Sequence, residues 1–347
     1  MPTIDADAHV IESERTWSYL ADDERQYAPL ILDMVSGEIQ KQSGPRPATE
    51  FWYSGNFIQP KDNADTLSMD EESREMGSVA ARVTHMDELE IDLQVLYPTI
   101  FLVPCARDAA HEAAQYRAYN RWLADIWKLS DNRLRWTACV PMSALHTARD
   151  ELIFAKEHGA CGIFVRPFEC DRYVGDSYFE PLFTAAAELD LPVCFHSANG
   201  SYPNCAFHEG HNFGRFKLAM ISQFHWLLEN EIPKKYPDVR WAFIEAAANW
   251  LPYVLGDVEK RLTRKGLKLS DNPLEDNNIW VTIEMSDDIP YVIDRVGDTN
   301  LVVGTDYGHT DTSAQIEALR MLKDHEGVSA DSVDRILGDN PTRLYGL

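Results

Sequence analysis

In the stretch IDADAHV at positions 4–10, Asp5, Asp7 and His9 alternate with apolar residues. Residues two apart on a strand project from one face, so Asp7 and His9 point the same way. Carboxylates and an imidazole in an otherwise apolar strand cost free energy unless something pairs with them. A polar network, a solvated edge or a metal ion would serve. His196, in VCFHS, and Asp306, in VGTDYGH, close two later apolar runs. Convergence of all four would put two imidazoles and two carboxylates around one point, a site for zinc, manganese or iron. Asp5 shares that face but lies deeper, where a structural hydrogen bond is expected. Taken singly, His196 reads as a core histidine and Asp306-Tyr307-Gly308 as an ordinary turn. Their joint position at the ends of apolar segments is what points to a cation.

Such residues need a scaffold that gathers strand ends. Eight short apolar segments recur along the chain. They are TIDADAHV (3–10), DLQVLYPT (92–99), RWTACVPM (135–142), CGIFVRPF (161–168), LPVCFHS (191–197), VRWAFIEA (239–246), IWVTIEM (279–285) and LVVGTDY (301–307). Between them lie stretches of helical period such as HEAAQYRAYNRWLADIWKLS and YFEPLFTAAAELD. In the latter, Phe179, Leu182, Phe183 and Ala186 make one apolar stripe. Eight strands alternating with helices predict an α/β fold, the (β/α)8 TIM barrel. No G-x-G-x-x-G or P-loop follows any segment, which argues against a doubly wound sheet. Catalytic groups of such barrels gather at the C-terminal strand ends. Those ends carry Asp7 and His9, Arg166, His196, Glu245, Glu284 and Asp306.

The connection from about 20 to 85 breaks the alternation. Within it, FWYSGNFIQP predicts a hairpin turning at Ser54-Gly55-Asn56, and KDNADTLSMDEES is polar. Following the first strand, this insertion would lie over the barrel mouth as a lid or interface arm. No linker divides the chain, so residues 1–347 are expected to form one domain. The net charge of −24 supplies no basic patch for nucleic acid. No apolar run reaches membrane-spanning length and no signal peptide is visible, which predicts a cytoplasmic protein. Six scattered cysteines without a C-x-x-C read as reduced and buried.

The chain resembles the amidohydrolase-related (amidohydrolase 2) family of metal-dependent hydrolases and decarboxylases, within the amidohydrolase superfamily. The resemblance rests on DADAHVIE, MDELEIDLQVLYPT, VCFHS, YPDVRWAFIEAAANWLPYVL, VGTDYGH and the closing ILGDNPTRLYGL. It implies a divalent metal held by Asp7, His9, His196 and Asp306, with Asp306 also orienting a metal-activated water. Asp7 departs from the family's usual H-x-H or E-x-H. Decarboxylases of the family carry a proton-handling histidine at the sixth strand, which falls here on Ala246, preceded by Glu245. Glu245 is then either an acid/base or an extra metal ligand, and the ligand role is favoured.

Extra ligands invite a second metal. Glu12, His208 and His211 are the candidates, with His225, Glu284 and His309 behind them. Arg166 would bind a substrate carboxylate or pair with Asp7 or Asp306. Trp52, Tyr53, Trp250 and Tyr253 would line a pocket or pack. The leading expectation is a hydrolase acting on a small carbonyl compound (amide, ester, thioester or C–C bond). The alternatives are a nonoxidative decarboxylase of a small or aromatic acid, a dinuclear iron or manganese–iron oxygenase component, and a non-catalytic subunit of a heteromeric enzyme. Small molecules, carboxylates among them, are the expected partners, and a dimer or higher oligomer the expected assembly.

Overall fold

The computed structural model describes residues 2–33, 50–61 and 69–347. Eight parallel strands form its centre: β1 (Ile4–His9), β2 (Leu93–Tyr97), β3 (Leu134–Ala138), β4 (Ala160–Val165), β5 (Val193–His196), β6 (Trp241–Ile244), β7 (Ile279–Ile283) and β8 (Leu301–Val303). Each pairs with the next in sequence. The ring closes where Asp306 N–H donates to the Asp7 carbonyl at 3.0 Å and His9 N–H to the Tyr307 carbonyl at 2.8 Å. This is the (β/α)8 barrel that the eight segments predict. Their Val, Ile, Phe and Trp runs suit strands buried on both faces, and β4, β5, β6 and β7 are buried at every position.

At β6 and β8 the strands are shorter than the apolar segments because the chain leaves the ladder before Glu245 and Asp306. Glu245 (φ +57°) and Asp306 (φ +52°) adopt left-handed backbone just past β6 and β8. That conformation is costly for a residue with a Cβ, and it turns each side chain out of the sheet. Beside Asp306, glycine is obligatory. A Cβ on Gly304 would lie 2.3 Å from the Asp7 Cβ, so the β8–β1 seam closes only around a bare backbone.

Outside the ring, the helix Ala109–Leu129 is capped by Asp108, which accepts from His111 N–H at 2.9 Å. The C-terminal helix Asn340–Tyr345 sends the buried Tyr345 hydroxyl to the Ala6 carbonyl at 2.7 Å. All six cysteines are free thiols, and five are buried. Among the described residues no helix is long and apolar enough to cross a membrane.

The insertion contributes a three-stranded antiparallel sheet of Leu30–Asp33, Glu50–Ser54 and Phe57–Pro60. Ser54 pairs with Phe57, so the turn is the two residues Gly55-Asn56 and Ser54 belongs to the strand. Gly55 supplies the positive φ (+62°) that a tight hairpin needs. The Ser54 hydroxyl donates to the Cys105 carbonyl at 2.8 Å and Gln59 to that of Pro104 at 3.2 Å, tying the sheet to the loop after β2. Most of the polar run KDNADTLSMDEES, residues 62–68, lies outside the described residues, as do residues 34–49.

Candidate metal centre

Asp7 and His9 occupy the end of β1 and His196 the end of β5. His9 Nε2 and His196 Nε2 face each other at 3.1 Å, and Asp7 Oδ1 lies 3.2 Å from the latter and 3.6 Å from the former. His9 Nδ1 contacts the Pro98 carbonyl at 3.1 Å, which requires its proton on Nδ1 and leaves Nε2 a bare lone pair. Such a carbonyl contact is the usual way a ligating histidine is oriented.

His309 repeats the pattern. Its Nε2 lies 2.9 Å from the Thr99 hydroxyl, which itself donates to the Val10 carbonyl, so Nε2 is the protonated nitrogen. The bare Nδ1 then stands 2.7 Å from Asp306 Oδ1, lone pair against carboxylate. Both Asp306 oxygens and the Nδ1 atoms of His196 and His309 are buried without a hydrogen bond. A set of acceptors converging without donors fits a cation, and that is the test these residues pass.

Three overlapping groups result: Asp7, His9 and His196; His9, Asp306 and His309; and Glu245, Asp306 and Asp311. Within each, one ligand atom per residue falls within 4.8 Å of the others. Glu245 Oε2 also lies 3.4 Å from His196 Nδ1. Burial, reinforced by Asp311 and the neighbouring carboxylates, pushes Glu245 and Asp306 well above the ordinary carboxylate range. Burial, with the rings of His309 and His196, holds His9 well below its ordinary value. A cation would reverse the first trend and agrees with the second, because ligands bind deprotonated.

Behind this layer, Arg82 is buried and donates to the His9 carbonyl at 3.1 Å while its guanidinium stacks 3.4 Å above the Tyr307 ring. It grips β1 and the Asp306 turn together. Asp5 takes the structural role expected of it, accepting from Thr305 N–H (2.9 Å), the Thr305 hydroxyl (2.6 Å) and Gln94 (2.9 Å).

Other candidates are placed elsewhere. Glu12 accepts from the backbone N–H groups of Thr99 and Ile100 at 3.0 and 2.9 Å, anchoring the loop after β2, and it does not gather with His208 and His211. Burial pushes Glu12 up to about 7 and Asp5 to about 6. A raised folded-state pKa gives stability that is full below the unfolded value and lost as pH rises through the folded one. Metal-stripped protein is therefore expected to lose stability between pH 5 and 8, measured by urea unfolding after chelation. A stability rising across that window would contradict the assignment.

His208 and His211 stand together over Gly214, where a Cβ would meet their Nδ1 atoms at 2.4 and 2.6 Å. His225 pairs with Asp257 at 2.9 Å. A cavity of about 530 Å³, lined by Tyr173, His208, His225 and Tyr253 among others, lies on this outer side, and none of Asp7, His9, His196, Glu245 or Asp306 borders it. Trp52 is buried and Tyr53 and Tyr253 are exposed.

Arg166 meets neither Asp7 nor Asp306. Its Nε and a terminal nitrogen form a two-pronged pair with Glu169 at 2.8 and 2.6 Å, and its other terminal nitrogen faces the carbonyls of Phe101 and Val103. Buried and fully engaged, it is a structural cation in this arrangement rather than an open carboxylate receptor. Glu169→Ala would strand it, at a cost of about 3–5 kcal/mol in unfolding free energy with bound metal unchanged. Loss of metal at unaltered stability would be the opposite result.

Two residues of the mouth escaped sequence reasoning. Asp311 follows His309 by two positions in DYGHTD, a visible signal. Lys217 carried none. It ends a π-helical turn, Phe213–Lys217, and its Nζ donates to Glu284 Oε1 at 2.6 Å, the Glu245 carbonyl at 2.6 Å and the Ser313 hydroxyl at 2.8 Å.

The amidohydrolase family profile matches residues 4–347. No curated protein sequence is similar enough to the chain to count as a match. An amidohydrolase from Mycobacterium avium subsp. paratuberculosis has a similar structure, with a TM-score of 0.77 at 20% identity over 99% of both chains. So does a 5-carboxyvanillate decarboxylase from Novosphingobium aromaticivorans complexed with manganese and 4-hydroxy-3-methoxy-5-nitrobenzoic acid (TM-score 0.72, 19% identity, 100% of this chain and 96% of that one). A dihydroxybenzoic acid decarboxylase from Polaromonas sp., with bound manganese and 2-nitroresorcinol, aligns with a TM-score of 0.67 at 16% identity, over 100% and 97% of the two chains. At these identities the likeness is one of fold.

Proposed function

The chain belongs to the amidohydrolase family, and from that premise we propose a metal-dependent hydrolase with two divalent ions in one acidic barrel mouth. The observation that carries this reading is Asp306, buried with neither oxygen accepting an N–H and shared by two of the three ligand groups. Asp7, His9 and His196 would hold the first ion. Glu245 and Asp311 would hold the second, with Asp306 available as a further ligand and His309 Nδ1 2.7 Å from it.

The charge count supports two ions. Lys217 pairs with Glu284, which leaves the four carboxylates of Asp7, Glu245, Asp306 and Asp311 for two divalent cations to balance. Manganese, iron and zinc all suit mixed imidazole–carboxylate donors. Bound there, the ions supply Lewis acidity, polarising a carbonyl and lowering the pKa of a water.

The chain's own groups do the rest. Asp306 would take the proton of an attacking water, neither of its oxygens accepting an N–H from the protein. Thr99 and the Pro98 carbonyl fix the tautomers of His309 and His9, so both rings keep a lone pair toward the mouth. The hairpin Glu50–Pro60 is tied through Ser54 and Gln59 to the loop after β2, a place from which an arm over the mouth would exclude water.

Decarboxylation of a small aromatic acid is the second reading. The manganese-bound decarboxylases of similar fold favour it. Against it stand Ala246 at the expected histidine and the engagement of Arg166 by Glu169. Turnover of an ester and amide panel in 18O-labelled water decides between them. One label in the product acid is expected. Release of CO2 from benzoate-type acids, with no labelled hydrolysis product, would overturn the hydrolase.

A further inference from the structure

We infer that Lys217 is a positioning residue for the second ion, holding Glu245 and the Asp311 loop in ligating geometry. The inference rests on the two-ion reading above. The side chain of Lys217 reaches three strand ends at once: the Glu245 carbonyl beyond β6, Glu284 beyond β7, and Ser313 beyond β8, two residues after Asp311. An ammonium has three protons, and all three are placed.

The grip on Glu245 matters most. Its left-handed backbone is a conformation that surroundings must enforce, and Ala247 two residues on has φ +56° as well. Holding the carbonyl of Glu245 fixes the peptide plane after it, and so the direction of its carboxylate toward His196 and Asp306. On the other side, Ser313 pins the loop that carries Asp311. Lys217 bonds none of Asp7, His9 and His196, so it holds no ligand of the first ion directly.

The lysine comes from a π-helical turn, a rare element that inserts a residue and re-aims the side chains that follow. A regular α-helix through Phe213–Lys217 would present position 217 in another direction. Lys217 also opposes the cluster's negative charge, and the two roles predict opposite outcomes. As a mere counter-charge its removal would make the mouth more acidic and tighten cation binding. As a positioning residue its removal loosens two ligands and weakens the second ion alone.

The experiment is a titration of metal-stripped full-length protein with Mn2+, read by calorimetry and by bound-metal mass spectrometry. Wild type is expected to bind two Mn2+ per chain. Lys217→Met should keep the first affinity within about twofold and weaken the second by about 10-fold or more, the scale of losing an outer support of a ligand. Ser313→Ala, which removes one of the three anchors and spares every ligand, should weaken the second ion by a smaller factor and covers the case in which Lys217→Met fails to fold. Two unchanged affinities in these variants, or a tighter second ion, would overturn the inference and leave the two-ion reading standing. One ion in the wild type would overturn both.

Discussion

Asp306→Asn is expected to leave the barrel folded and to remove its metal. The residue is shared by two of the three ligand groups, and His9 Nε2 and His309 Nδ1 both face its Oδ1, at 3.4 and 2.7 Å. Asparagine keeps the shape but withdraws the anion and puts an N–H2 among lone pairs. Removing an outer-shell support commonly weakens a metal by about 10–100-fold, so loss of a shared ligand should exceed about 100-fold for both ions. Turnover should fall with it.

Stability moves the other way. Burial pushes the Asp306 carboxyl well up, so in metal-free protein its contribution is full at low pH and is lost as pH rises through the folded-state value. Metal-free Asp306→Asn should therefore gain in stability over metal-free wild type as pH rises, measured by urea unfolding. Retention of both ions in the purified variant would contradict the assignment.

Glu245→Ala is expected to separate the two sites. Glu245 joins Asp306 and Asp311 in the third group but does not belong to the first, which is Asp7, His9 and His196. The variant should purify with one divalent ion per chain, lose most activity, and unfold close to wild type. The last point follows from chemistry at the site: alanine removes a buried carboxylate that no hydrogen-bond donor satisfies and tolerates the same backbone as glutamate. Two ions retained would make Glu245 an acid/base rather than a ligand. No ions at all would mean that the groups do not load independently.

Much of this centre is legible in the sequence, and the reasons are physical. Asp7 and His9 sit two apart on a strand, so period alone puts them on one face, and eight apolar segments dictate a barrel whose strand ends converge. That logic reaches His196, Glu245 and Asp306, which directly follow or close their strands. It fails for Arg166, at an equivalent strand end, because Glu169 three residues later folds back through a tight turn and captures it. It fails also for Glu12, whose two oxygens meet backbone N–H groups brought by the loop after β2, a long-range contact that no local pattern announces.

His309 and Asp311 lie beyond the last strand on an irregular turn. There, alternation no longer tells inward from outward, and only the left-handed backbone at Asp306 sends them back to the mouth. Lys217 is further still from any signal, since its direction depends on one extra residue in a helical turn. The hairpin shows the smaller kind of error. Residue type places Ser54 in the turn, yet its hydroxyl donates to the Cys105 carbonyl and its backbone pairs with Phe57.

The central claim is two divalent ions held by one chain, and the most direct test is metal content of the wild type. Protein purified without chelators or added metal, and again after stripping and reloading with Mn2+, is measured by mass spectrometry against chain concentration. Two ions per chain in the reloaded protein is the predicted result. One ion, unchanged by excess Mn2+ and unaffected by Glu245→Ala, would contradict it and return the mouth to a mononuclear site.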